Sequence, residues 1–198
     1  MTSTTKPNDH GIPAFPLAVR LQGRRCVIVG GGRVATRKAN TLRAAGASVT
    51  VIAPDLTQEL KALGSSGHIH AVQRSYQDGD CAEAWLVVAA TDNDLVNDRV
   101  AAESEAIGVL INRADKSSAG DVLFGAVFQA GSVSVMVSTD GGNPNAARWV
   151  RDEVERALGP LIGILGETMH TDDDQMTRRS YAQIDQQMKL EQAKGPTA

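Results

Sequence analysis

Thiols are scarce. Cys26 and Cys81 are the only two in 198 residues, too few for a disulfide framework. Cys26 lies inside an apolar run and reads as a small buried hydrophobe, and neither cysteine has a second thiol at metal-ligand spacing. The histidines His10, His68, His70 and His170 form no zinc pattern. His68 and His70 would share one face of a strand, but two ligands without a third hold no metal. Aromatics make up only 4% of the chain, which argues against a β-sandwich core. Basic charge is not in excess: the formal net charge is −3, so electrostatics give no reason to expect a nucleic-acid partner. A local basic pocket can still receive an anionic substrate. No run approaches the ~20 apolar residues that span a bilayer. Residues 1–11 lack both the apolar core of a secretory signal and the arginine-rich pattern of a transit peptide. The expectation is a cytoplasmic chain with no membrane partner and no structural metal.

Glycine, by contrast, is abundant at 19 residues, and its placement is informative. After a polar lead (1–13) and a short apolar stretch from Ala14 to Val19, the run Arg25–Val29 reads as a strand ending on Gly30-Gly31-Gly32. Val34–Ala45 is rich in helix formers and is stopped by Gly46. Ser48–Ala53 reads as the second strand, Thr57–Leu63 as a short helix and His68–Val72 as a further strand. Trp85–Ala90 is a continuous apolar run of the kind buried on both sheet faces. Asp94–Ala106 reads as helix and Val109–Asn112 as strand. This alternation predicts a Rossmann-like, doubly wound parallel α/β sheet over 14–116.

From Val122 the period changes to two. Val122, Phe124, Ala126 and Phe128, then Val133, Val135 and Val137, flank Gln129-Ala130-Gly131, which predicts an antiparallel hairpin. Asn143-Pro144 starts a helix, with Asn as cap and Pro in the first position. Ala147, Val150, Val154 and Leu158 share one of its faces. The hairpin and this helix make up a 117–158 region. A polar 159–198 tail follows, with a weak helical stripe at Met176, Tyr181, Ile184 and Met188.

Five positions carry chemistry. Gly30-Gly31-Gly32-Arg33-Val34-Ala35 fits G-x-G-x-x-A between a strand and a helix. Gly30 serves the tight turn, Gly32 lets a pyrophosphate approach the backbone, Ala35 packs the helix on the sheet, and the helix start at Arg33 and Val34 offers free N–H groups. At the second strand end the usual ribose-holding acid is displaced: Asp55 lies 23 residues past Gly32, against an offset of about 20. Asp55 either holds the ribose or starts the next turn. No Arg or Lys adjoins it in the chain, which favours NAD over NADP. Thr91, at the end of the buried strand, either donates to a cofactor or belongs to a turn capped by Asp92 or Asn93. Asn112-Arg113-Ala114-Asp115 closes the next strand. Asp115 is either a proton acceptor beside a nicotinamide, its proton affinity raised by burial, or a solvated turn residue. Ser138–Pro144 either holds an anion with Arg148 and Arg151 or is a plain turn whose arginines pair with Asp152 or Glu155.

Taken together, Val29-Gly30-Gly31-Gly32-Arg33-Val34-Ala35-Thr36-Arg37-Lys38, Ala89-Ala90-Thr91-Asp92, Asn97, Asn112 with Asp115, and Ser138-Thr139 followed by Pro144 and Arg148 resemble the precorrin-2 dehydrogenases, the NAD-dependent module of siroheme synthases. The resemblance runs from about Phe15 to Leu158. It implies oxidation of precorrin-2 to sirohydrochlorin with NAD, with Asp115 as the catalytic residue. It also implies Thr139, Asn143 and Arg148 at the tetrapyrrole, a homodimer joined through the hairpin region and, in some members, insertion of iron or cobalt. Two positions depart from the pattern: Gly125 stands where Pro is common and Asp140 where Gly is usual. A non-catalytic NAD-sensing domain is the alternative reading, but it would normally place an acid at Ala53. A short-chain dehydrogenase is excluded, because Tyr76 and Tyr181 are followed four residues on by Asp80 and Asp185 rather than Lys.

Overall fold

The structure, a computed structural model, describes residues 14–168 and Gln186. The lead at 1–13 and the stripe at Met176–Met188 lie outside these residues. Two compact units are present. The first holds the described residues through Phe124 together with Asp140–Gly142, and the second holds Gly125–Thr139 and the described residues from Asn143 onward.

The first unit is an open parallel sheet. Its strands are β1 (Arg25–Val29), β2 (Ser48–Ile52), β3 (His70–Val72), β4 (Leu86–Ala89) and β5 (Leu110–Arg113), in the order β3-β2-β1-β4-β5. Helix α1 (Arg33–Ala44) links β1 to β2, α2 (Gln58–Ser65) links β2 to β3, and α3 (Asp94–Ala106) links β4 to β5. Alternation along β1 sends Cys26 and Ile28 into a core with Ala35, Ala39 and Leu42 of α1 and Leu60 of α2. Val27 and Val29 enter a second core with Val100 of α3. The two cysteines are therefore buried in different cores, Cys26 in the first and Cys81 in the second. Strand order reverses between β2 and β4 on either side of β1, so the crevice of this fold opens at the carboxyl ends of β1 and β4.

Sequence reading had ended this unit at residue 116. The unit runs on to Phe124 because Val122 and Phe124 pack on the α1-side core instead of starting the hairpin. The period-2 pattern there reflects an extended segment lying on the sheet, since Asp121 N and Val122 N both donate to Ile111 O. Phe124 also covers Lys38, whose ammonium lies 3.5 Å from the ring centroid. Burial, aided by the neighbouring Arg37 charge, lowers the Lys38 pKa to about 7. The unfolded chain keeps a lysine near its ordinary value of about 10.4. The cost of burying the cation is thus fully present below pH ~7 and disappears as pH rises toward ~10. Lys38→Met is expected to gain about 1 kcal/mol at neutral pH, about 3 °C in the unfolding midpoint, and to abolish the rise in stability across that window. Thermal unfolding of both proteins between pH 6 and 10 checks this.

In the second unit, β6 (Ala126–Ala130) and β7 (Val133–Val137) form an antiparallel hairpin with Phe128 opposite Val135. Helix α4 (Pro144–Thr168) packs on both strands. Asn143 caps α4 as expected, its Oδ1 accepting from Ala146 N at 2.9 Å. The helix does not stop before Gly159-Pro160 but carries Pro160 within it.

Candidate active site

The three glycines do different work. Gly30 has φ +130°, and a Cβ there would strike the Ala90 carbonyl. A Cβ at Gly31 would strike the Asp55 carbonyl and the Ala53 methyl, whereas one at Gly32 meets nothing within 4 Å. Gly30 and Gly31 are therefore demanded by the fold, and only Gly32 faces open space. The constraint on Gly31 comes from the loop after β2, which the glycine motif alone does not reveal. Arg33 opens α1, no side chain caps this helix at Gly32, and its first turn carries no acid. Val34 is 41% exposed and Ala35 fully buried against the sheet. An uncapped helix start beside an open glycine is a cradle for a diphosphate, so the residues present fit a dinucleotide. Gly32→Val is expected to fold within about 1 kcal/mol of wild type while losing ~100-fold in NAD affinity. Gly30→Ala, forced into a conformation that favours glycine and against a backbone carbonyl, should lose more than ~2 kcal/mol of stability. Calorimetric titration with NAD and thermal melts separate the two.

At the end of β2, Ala53 is buried and Asp55 exposed. Thr57 N donates to Gly31 O at 3.0 Å, latching the β2–α2 loop onto the glycine turn. Asp55 stays beside that turn through its main chain, and its carboxylate has no hydrogen-bond partner among the described residues. No arginine adjoins this strand end in the chain, but in three dimensions Arg33 and Thr57 line the same groove.

At the end of β4, the Thr91 hydroxyl reaches Asn97 Oδ1 at 2.8 Å and Asn93 O at 3.0 Å, and it accepts from Asn93 N. Asn93 Oδ1 accepts from Leu95 N and Val96 N, capping α3. Thr91 therefore straps the turn, and its hydrogen is committed within the protein. Fully buried Asn97, whose amide also donates to Thr91 O, organises this strand end.

At the end of β5, neighbouring side chains point to opposite faces. Asn112, paired across from Val88, turns toward the α1 face; its Nδ2 donates to Val122 O at 2.6 Å, while its buried Oδ1 has no partner among the described residues. Arg113, paired across from Ala89, turns toward α3. Its side chain is 3% exposed and grips Asp115 through Nε and Nη2, at 2.9 and 2.7 Å, and Asp98 through Nη1 at 2.8 Å. The guanidinium holds the Asp115 carboxyl well below the usual carboxylate range, outweighing the opposing effect of burial. The expected raised proton affinity of Asp115 is thus corrected: the local cation outweighs desolvation.

Thr139, Asn143 and Arg148 all belong to the second unit. Asn143 N donates to Thr139 Oγ1 at 3.1 Å, and Arg148 folds back onto Pro144 O and Asn145 Oδ1. Arg151 pairs with Asp152 at 2.6 Å. Asp140 has φ +49°, a left-handed conformation that glycine adopts at no cost.

A parallel sheet whose carboxyl edge carries an open glycine cradle and an uncapped helix start defines a dinucleotide-binding α/β protein. The family model NAD_binding_7, described as "Putative NAD(P)-binding", matches residues 17–126, and the chain belongs to this family. It is 38% identical over 153 residues to the siroheme synthase of Nitrosococcus oceani, covering 77% of this chain and 33% of that protein. Against the siroheme synthase of Pseudomonas aeruginosa it is 37% identical over 160 residues, covering 79% and 34%. The chain spans about a third of the length of these curated relatives. Among solved structures, "SirC, precorrin-2 dehydrogenase" is similar in fold, with a TM-score of 0.66 at 22% identity over 87% of this chain and 99% of that one. Among the described residues no helix is long and apolar enough to cross a membrane.

Proposed function

We propose that the chain oxidises precorrin-2 to sirohydrochlorin with NAD. One observation carries this reading: the open Gly32 cradle follows β1 and Asp115 follows β5, both at the carboxyl edge of one parallel sheet. The names of the similar proteins supply the substrate. NAD, when bound, supplies the hydride acceptor. Gly32 and the first N–H groups of α1, at Arg33, Val34 and Ala35, hold the diphosphate; Asp55 takes the ribose; and Asn112 offers its unused Oδ1. Asp115 accepts the proton released as the macrocycle loses hydride and passes it to water. Thr139, Asn143 and Arg148 receive the tetrapyrrole carboxylates.

The test is the absorbance of precorrin-2 mixed with the protein and NAD, with and without ferrous or cobaltous ion. NADH and sirohydrochlorin appearing in equal amounts supports the reading, and a further metal-dependent shift adds chelation. NAD binding without turnover leaves the sensing alternative. We also propose a cytoplasmic homodimer, because the second unit leaves Val127, Met136, Trp149 and Leu158 exposed. Light scattering at micromolar concentration would refute the dimer by showing a monomer.

A further inference from the structure

We propose that this chain also binds the 2′-phosphorylated dinucleotide NADP, the extra phosphate being taken by Arg33 and Arg37 in the groove between α1 and the start of α2. The proposal rests on the dinucleotide reading above and assigns a selectivity subsite within it.

In this fold the adenosine ribose lies at the carboxyl end of β2, where a carboxylate takes its 2′-hydroxyl or a nearby arginine takes a 2′-phosphate. Here that strand end is tied to the glycine turn by the bond from Thr57 N to Gly31 O. The tie brings the first residue of α1 alongside the loop that follows β2. The result is a groove of about 430 Å³ lined by Arg33, Thr36, Arg37, Thr57 and Glu59, among others. Arg33 and Arg37 are four residues apart and so lie on one side of the helix. Both are exposed, and neither guanidinium has an ion-pair or hydrogen-bond partner among the described residues. In contrast, Arg74, Arg99, Arg113 and Arg156 are each paired with a carboxylate.

At the groove wall the Thr36 and Thr57 hydroxyls bond each other at 2.9 Å, Thr36 Oγ1 also reaches Gly32 O, and Thr57 Oγ1 accepts from Leu60 N, so the donors left for a ligand are the two arginines. Glu59, the one carboxylate lining the groove, is engaged with Asn40 Nδ2 at 2.6 Å. A phosphate monoester dianion suits the two forked donors that Arg33 and Arg37 present. Asp55, close by in the chain, serves the unphosphorylated ribose and repels the phosphorylated one, so NADP is expected to bind more weakly than NAD but within about ten-fold.

Calorimetric titration with NAD, NADP, 5′-AMP and adenosine 2′,5′-bisphosphate tests this on wild type, Arg33→Ala, Arg37→Ala and, as a control, Arg43→Ala near the far end of α1. The expected result is wild-type NADP affinity within about ten-fold of NAD. Each groove variant should lose at least about ten-fold more affinity for the phosphorylated ligands than for their unphosphorylated counterparts, and Arg43→Ala should leave the ratio unchanged. NADP binding more than about ten-fold weaker than NAD in wild type overturns the subsite while leaving the NAD reading intact. Equal losses of both cofactors in the groove variants also overturn it. Failure of wild type to bind NAD removes both readings together.

Discussion

Asp115→Asn is expected to slow single-turnover oxidation of precorrin-2 by ~10²-fold while NAD affinity is retained. General-base assistance spans ~10²–10⁴-fold, and the low end applies here because a base assists best when its pKa lies near the working pH. Arg113 holds the Asp115 carboxyl well below the usual range, so the residue is always ready to accept a proton but binds it weakly. Asparagine keeps the shape and can still accept one of the two bonds from the Arg113 fork, and thermal melts separate lost chemistry from lost structure. The pH dependence follows from the same pair. Asp115 remains ionised at and above the ordinary carboxylate value near 4, so wild-type rates should show no acid limb from this group above that pH. In Arg113→Gln the carboxyl is released and an acid limb near pH 4 should appear. An Asp115→Asn enzyme with undiminished single-turnover rate would mean that the proton leaves to water or to the substrate's own carboxylates.

Arg113→Ala should cost about 3 kcal/mol of stability at neutral pH, roughly 10 °C in the unfolding midpoint. The side chain is 3% exposed and bridges two carboxylates that are 21% and 57% exposed. Removing the cation leaves both without their partner and opens a void behind β5. Loss of one partner of a fully buried pair costs about 3–5 kcal/mol; solvent at Asp98 places this case at the lower end. The sign with pH is definite. A carboxyl whose pKa is depressed on folding contributes stability above its unfolded value near 4, and that stability is lost as pH falls through the folded value. The gap between wild type and Arg113→Ala should therefore narrow below pH 4. A gap of equal size at pH 3 and pH 7 would assign the loss to packing alone.

Features of local origin were legible in the chain. The β and α alternation through residue 112 follows from apolar period and from glycine and proline punctuation. The stop at Gly46 and the Asn143-Pro144 start follow from backbone geometry that a few neighbouring residues decide. The position of Asp115 just beyond the strand that ends at Arg113 belongs to the same class.

Other features required chain segments far apart in sequence to meet. Val122 and Phe124 alternate like a strand, yet they pack on the nucleotide unit because an uncovered apolar face lay beside β5. Gly31 is constrained by a carbonyl that arrives after β2, which no glycine motif announces. Thr91 looked free to donate until Asn97, a turn of helix further on, took its hydrogen. Arg33 had no visible business with the second strand end until Thr57 was tied to the glycine turn. Asp115 was expected to gain proton affinity from burial and instead lost it to Arg113, because strand alternation turns that guanidinium toward α3, where Asp98 also waits. Which residues line the sheet's carboxyl edge is written in the chain, since period and steric limits are local. Which of them are committed to one another and which remain available to a ligand is set by the fold, because hydrogen bonds and charge pairing depend on distances that the chain order does not contain.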